Sequence, residues 1–290
     1  MQENKQEHFI KNIEIKNFKC FEDFKAEGFG RVNLIGGKNN VGKTAFMEAV
    51  YISNPKNNLR RIITIRYMSD ILWDLWNEIG KKFIDNFIKE KSEGYENNQI
   101  TSNLNDLKIN IIFSSSNKAT KNKYEDLYSS IIKNDLEDRL DSYVKEFDNS
   151  IEKFRIIKSQ PHCKKNGEFY NLNEFGDGLG KFIYFIILLL SPKSSIILID
   201  EIENGIHYTN LDKLWEIILT ISKQQNVQVF ATTHSKECIE SYARVAKKLD
   251  DKDITFIELG KNNENKIESI IYPYEWLIDE VEQNHEVRGW

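Results

Sequence analysis

Eight consecutive residues, Gly37-Lys38-Asn39-Asn40-Val41-Gly42-Lys43-Thr44, carry the clearest chemistry in the sequence. They fit G-x-x-x-x-G-K-[ST], the spacing of a phosphate-binding P-loop. Gly37 and Gly42 let the backbone curl, so that consecutive N–H groups point at phosphate oxygens. Lys43 places a point charge between β- and γ-phosphates, and the Thr44 hydroxyl is set to ligate Mg²⁺. Thr44 to Tyr51 reads as a helix whose positive end faces those phosphates. Arg31 to Ile35 reads as the strand before it, which completes the strand–loop–helix context the motif needs.

Asp200 and Glu201 follow four apolar β-formers, Ile196 to Ile199. In a P-loop site Asp200 holds Mg²⁺ through a water, opposite Thr44, and Glu201 orients or deprotonates the attacking water. On their own the two acids would be a solvated strand end. His234 ends the next strand. Ligands in open α/β sheets bind at such ends, so His234 is expected in the same crevice, sensing the γ-phosphate rather than binding metal. The plainer reading is a histidine that caps the helix starting near Ser235. Gly176-Asp177-Gly178 begins a glycine-rich turn that opens an apolar helix, a second anion-binding N-terminus. It lies far along the chain from the P-loop, and one nucleotide does not need both in one subunit. A second subunit packed head-to-tail could present it, which predicts an ATP-sandwiched homodimer with two composite sites. A simple helix-start turn is the competing reading.

The elements that position these residues follow from periodicity. Phe9 to Asn17 and Phe21 to Ala26 read as paired strands ahead of Arg31 to Ile35. Tyr67 to Lys91 has apolar residues at three-and-four spacing and reads as an amphipathic helix. Ser92 to Asn105 reads as a polar loop, Leu107 to Ser114 as a strand, Tyr124 to Asp148 as a helix and Ile151 to Ile157 as a strand. His162-Cys163 reads as a solvated turn. A helix over 182–190, a strand over 195–201, a helix over 210–224, a strand over 227–234 and a helix over 235–249 follow. A hairpin over 254–272 and a last helix over 274–283 close the chain. Residues 1–54 and 156–290 thus form one nucleotide-binding head, and 55–155 a mainly helical insertion or lid. The insertion is too short for long coiled-coil arms.

The 290 residues, 40% of them hydrophobic, suffice for one large or two modest domains. A net charge of −5 gives no support to a whole-surface nucleic-acid binder, and leaves room for local DNA contact. Cys20, Cys163 and Cys238 show no metal or disulfide spacing and fit a reducing cytosol. The N-terminus has no signal-peptide core. The longest apolar run, Phe182 to Leu190, is too short to span a bilayer. These features predict a cytoplasmic protein with no membrane partner.

The order of P-loop, helical insertion, glycine-rich signature, Asp-Glu strand and histidine resembles ABC-class ATPases. Gly37 to Thr44 resembles the G-x-N-x-x-G-K-[ST] form of SMC, RecF and OLD-type proteins. Asp200-Glu201-Ile202-Glu203-Asn204-Gly205-Ile206-His207 and Phe230 to Ser235 are similar to OLD-like bacterial ATPases. The resemblance covers about 9–52 and 168–290. It implies an α/β ABC-type head with a mixed central sheet and flanking helices, ATP and Mg²⁺ as cofactors, and slow hydrolysis. It implies Asn39 near the γ-phosphate and Glu203 to His207 as a loop at the dimer interface. It also implies a homodimer or larger homo-oligomer in anti-phage defence, coupled to a TOPRIM- or HNH-type nuclease. No metal-binding acid cluster follows residue 250, so any nuclease is expected on a separate chain. The signature serine of transporter ATPases is replaced by Gly176-Asp177-Gly178, which argues against a transporter subunit. Gln160 is the nearest candidate for the family's Q-loop glutamine. A RecF- or SMC-like DNA-maintenance ATPase and an ATP-bound scaffold with negligible turnover are the other readings.

Overall fold

The structure is a computed structural model, and it describes residues 9–54, 99–104, 109–114, 121–191, 195–283 and 285. Strands β1 (Asn12–Phe18) and β2 (Phe21–Glu27) form an antiparallel hairpin. Ile13, Ile15 and Phe18 of the first turn inward opposite Ala26, Phe24 and Phe21 of the second, the alternation slipping by one residue at Asn17, which is left-handed at φ 53°. Strand β3 (Val32–Gly36) is buried throughout and leads through the P-loop into helix α1 (Lys43–Ile52). Strand β4 (Gln99–Ser102) adds to the hairpin in the order β2-β1-β4. Strand β5 (Ile111–Ser114) joins the main sheet instead.

Helices α2 (Lys121–Lys133) and α3 (Glu137–Phe147) come next. A small antiparallel sheet of β6 (Lys153–Ile157), β7 (Gln160–Lys165) and β8 (Glu168–Asn171) follows. Then come α4 (Asp177–Leu190), β9 (Ile196–Ile199), α5 (Leu211–Gln225), β10 (Gln228–Thr232) and α6 (Lys236–Lys248). The hairpin β11 (Ile254–Lys261) and β12 (Ile267–Pro273) and helix α7 (Tyr274–Glu282) end the fold.

The main sheet runs β12-β11-β3-β10-β9-β5, parallel except for β12. Its central strands β3, β10 and β9 are buried at every residue because both faces are covered. Val32, Leu34, Ile197, Ile199, Val229 and Ala231 face the layer of α4, α5 and α6. Ile35, Ile196, Leu198 and Phe230 face α1 and the β2-β1-β4 sheet. Each such side chain, fully buried, contributes about 1.5–3 kcal/mol. Helix α4 is apolar around nearly its whole circumference from Phe182 to Leu190, and all nine of these residues are buried. It packs against α2, α3 and α5, with the Phe147 and Phe182 rings stacked at 3.7 Å.

The structure corrects three expectations. The polar stretch 92–105 contains β4, whose residues 99–102 pair with β1. The single helix expected over 124–148 is two, broken at Asn134 to Leu136, with Asp135 left-handed at φ 53°. His162 and Cys163 lie in β7 and not in a turn, with Cys163 facing the core. The span read as an insertion also supplies β4 and β5 to the two sheets that flank α1. The helix expected over 67–91 lies outside the described residues. Among the described residues no helix is long and apolar enough to cross a membrane.

Candidate functional site

Parallel pairing aligns the carboxyl ends of β3, β10 and β9, because Ile35 pairs with Thr232 and Ala231 with Ile199. The P-loop leaves the first, His234 follows the second, and Asp200 and Glu201 follow the third. This is the edge where open α/β sheets place ligands. Gly37 has φ 136°, and a Cβ there would stand 2.3 Å from the Leu259 carbonyl oxygen, so only glycine fits this bend. Lys38, Asn39 and Asn40 are exposed along the loop, while Val41 is buried beneath it. Gly42, at φ 91°, leads into α1, so the N-terminus of that helix opens onto the loop.

Lys43 is buried, and its ammonium donates to the carbonyls of Gly37 at 2.6 Å and Lys38 at 2.9 Å. An ammonium has three donors, so one remains to meet a phosphate oxygen. Burial pulls its pKa from the ordinary 10.5 down to about 8, against the opposing pull of Glu203, Asp200 and Glu201. Added phosphate charge raises that value again. Nucleotide binding near pH 8 is therefore expected to take up a proton, with affinity flat below pH 8 and falling above it. Calorimetry in two buffers of different ionisation enthalpy checks this, since equal heats would mean that no proton moves. The stability sign follows from the same shift. Between about 8 and 10.5 the unfolded chain holds more protons at this position, so its contribution to stability rises with pH.

The Thr44 hydroxyl lies 3.2 Å from one Asp200 oxygen and 3.4 Å from the other. These hard oxygen ligands fit Mg²⁺, which takes one or two protein groups and completes its shell with water and phosphate. Among the described residues no group of three or more His, Cys, Asp or Glu could hold a metal alone. Thr232 links the two acids: its hydroxyl donates to Asp200 Oδ1 at 2.6 Å and accepts the Glu201 N–H at 2.8 Å. Thr232 was missed in the sequence, although its place beside Asp200 follows from the β9–β10 register. Glu201 itself is left-handed at φ 54°, a costly conformation for a residue with a side chain. Its Oε2 accepts from Asn204 Nδ2 at 3.3 Å.

His234 is exposed, and its backbone N–H donates to Glu203 Oε1 at 2.8 Å. The cap of α6 is Ser235, whose hydroxyl accepts the Cys238 N–H at 3.1 Å, so capping does not account for the histidine. Gly176 and Asp177 are exposed at the start of α4. The turn packs on the loop after β9: a Cβ on Gly178 would stand 2.3 Å from the Gly205 oxygen, and Lys181 Nζ donates to the Asn204 carbonyl at 3.0 Å. Gln160 begins β7, where its Oε1 accepts from Asn171 Nδ2.

Known proteins match both the sequence and this geometry. The chain is similar to an ATP/GTP phosphatase of Helicobacter pylori, at 26% identity over 334 aligned positions that cover 83% of this chain and 89% of the relative. It is also similar to the uncharacterized protein MJECL10 of Methanocaldococcus jannaschii, at 30% over 136 positions, covering 47% and 60%. Among solved structures, an SMC head bound to the C-winged helix domain of ScpA superposes with a TM-score of 0.56 at 10% identity, over 92% of this chain and 98% of that one. An SMC head with an extended coiled coil, bound to the C-terminal domain of ScpA derived from Pyrococcus furiosus, gives 0.54 at 10%, over 95% and 99%. The fold is thus that of ABC-type ATPase heads, and the protein is an ATPase. Residues 68–240, more than half of the chain, match the family described as "AAA domain, putative AbiEii toxin, Type IV TA system", and the protein belongs to that family of P-loop ATPases.

Proposed function

We propose that ATP closes two copies of this chain head-to-tail, and that the closed state controls a separate effector in anti-phage defence. The observation that carries the reading is the turn Gly176-Asp177-Gly178. Its Gly176 and Asp177 are exposed, a Cβ on Gly176 would meet nothing within 4 Å, and the turn opens the fourteen-residue helix α4. Such an N-terminus suits a phosphate presented from outside the subunit.

Within each subunit Lys43 and the P-loop amides hold the β- and γ-phosphates. Thr44 and Asp200 hold Mg²⁺, which when bound neutralises charge on the phosphates. Glu201 orients the attacking water, and His234 lies against the γ-phosphate. Asn39, exposed on the loop, reaches the same phosphate. The effector that best fits the OLD-like resemblance is a TOPRIM- or HNH-type nuclease on its own chain. The family description, which names a toxin of a TA system, supports a defence setting.

Light scattering with and without ATP and Mg²⁺ tests the assembly. The mass is expected to double with ATP. Gly178→Ala pushes a methyl into the Gly205 carbonyl, so it is expected to abolish the doubling and lower turnover by about 10²-fold, the scale for losing one aimed donor. Each subunit should still bind ATP. A protein that stays monomeric with ATP bound would remove the composite site. The alternative, a RecF- or SMC-like DNA-maintenance ATPase, is favoured by the SMC-head fold. It requires ATP-dependent DNA binding that weakens steeply with salt.

A further inference from the structure

Glu203 stands in the loop after β9, next to residues that behave differently from it. Asn204, Gly205, His207 and Tyr208 are exposed. The Glu203 carboxylate turns inward. Its Oε1 accepts the His234 N–H at 2.8 Å, while Oε2 is closed off from solvent and has no hydrogen-bond partner among the described residues. Leaving a charged oxygen enclosed without a donor forfeits its hydration with nothing in return. Folded proteins rarely keep such a group unless water or chemistry supplies the partner. The His234 amide that it holds follows β10 at the carboxyl edge of the sheet, so Glu203 stands at the rim of the crevice, where its charge joins those of Asp200 and Glu201 in favouring the charged form of Lys43. The donor it lacks must be small and must reach that crevice, which describes water. Glu201 already takes a donor from Asn204. Glu203 is thus the site carboxylate with an uncommitted, enclosed oxygen.

We propose that Glu203 is a positioning residue for ATP hydrolysis: Oε1 fixes the turn that carries His234, and Oε2 accepts a hydrogen bond from a water ordered at the terminal phosphate. No bond is made or broken at Glu203. The inference rests on the assignment of ATP hydrolysis to this crevice.

Glu203→Gln tests it with little change of shape. The amide carbonyl still accepts the His234 N–H, but an NH₂ now donates where Oε2 accepted. The expected result is a kcat lower by about 10- to 100-fold, the usual scale for losing an orienting partner, with KM for ATP unchanged. Hydrogen exchange at the His234 amide should stay as in the wild type. Glu203→Ala removes both contacts, so it should lower kcat and also speed that exchange. A wild-type kcat in Glu203→Gln overturns the proposal. So does a fall in kcat seen only together with faster His234 exchange, which would mark a purely structural role. Lys43→Ala serves as the control. If it hydrolysed ATP normally, the assignment of the crevice would fail. If it were inactive while Glu203→Gln was normal, the role of Glu203 alone would fail.

Discussion

Lys43→Ala is expected to weaken ATP binding by roughly two to three orders of magnitude. Three things are lost at once: a buried positive charge, the donor left for a phosphate, and the two hydrogen bonds that tie Gly37 and Lys38 together. Truncating one partner of a buried charged hydrogen bond costs about 2–5 kcal/mol. At about 1.4 kcal/mol per tenfold, that is roughly thirtyfold to several thousandfold in affinity. The freed carbonyls add to the penalty, because the loop that should cradle phosphate loses its internal tie. Titration with a fluorescent ATP analogue reads the effect directly. Wild-type affinity would remove Lys43 from the phosphate site.

Glu201→Gln is expected to do the opposite to binding. ATP affinity should be kept, turnover should fall by about 10²- to 10⁴-fold, and the dimer should persist in ATP. The amide matches the carboxylate in shape and can still accept from Asn204, so the loop after β9 need not move. What it loses is the ability to take a proton from water. The left-handed backbone at Glu201, anchored by its N–H on Thr232, fixes where that carboxylate stands. Single-turnover hydrolysis and light scattering separate the two effects. Unchanged turnover would take the catalytic role from Glu201.

Much of this site was legible in the sequence because its residues come as contiguous strings. Gly37 to Thr44 is one such string and Ile196 to Glu201 another; each adjoins a strand that is buried throughout. Thr232 and Glu203 were not legible in the same way. Their importance arises from strand register and from the path of a loop, neither of which has a local signature. Strand β4 has the sequence Gln-Ile-Thr-Ser, with a single large apolar residue, so no alternation betrays it. The break between α2 and α3 did leave a trace. Asn134 and Asp135 stand there, residue types that take up left-handed backbone more readily than most, as Asp135 does. Strand β7 hid because its small sheet buries only one face, so Cys163 is fully buried among polar neighbours.

The glycine turn at the head of α4 has a mechanical consequence. Ten of the fourteen residues of that helix are buried, and its flanks are α2, α3 and α5. A helix held this way is a shaft and not a flap. A push on Gly178, which lies against the Gly205 carbonyl, is carried along the shaft into the layer built on it. A displacement of an ångström at that turn therefore travels as a tilt of a rigid body into α2 and α3.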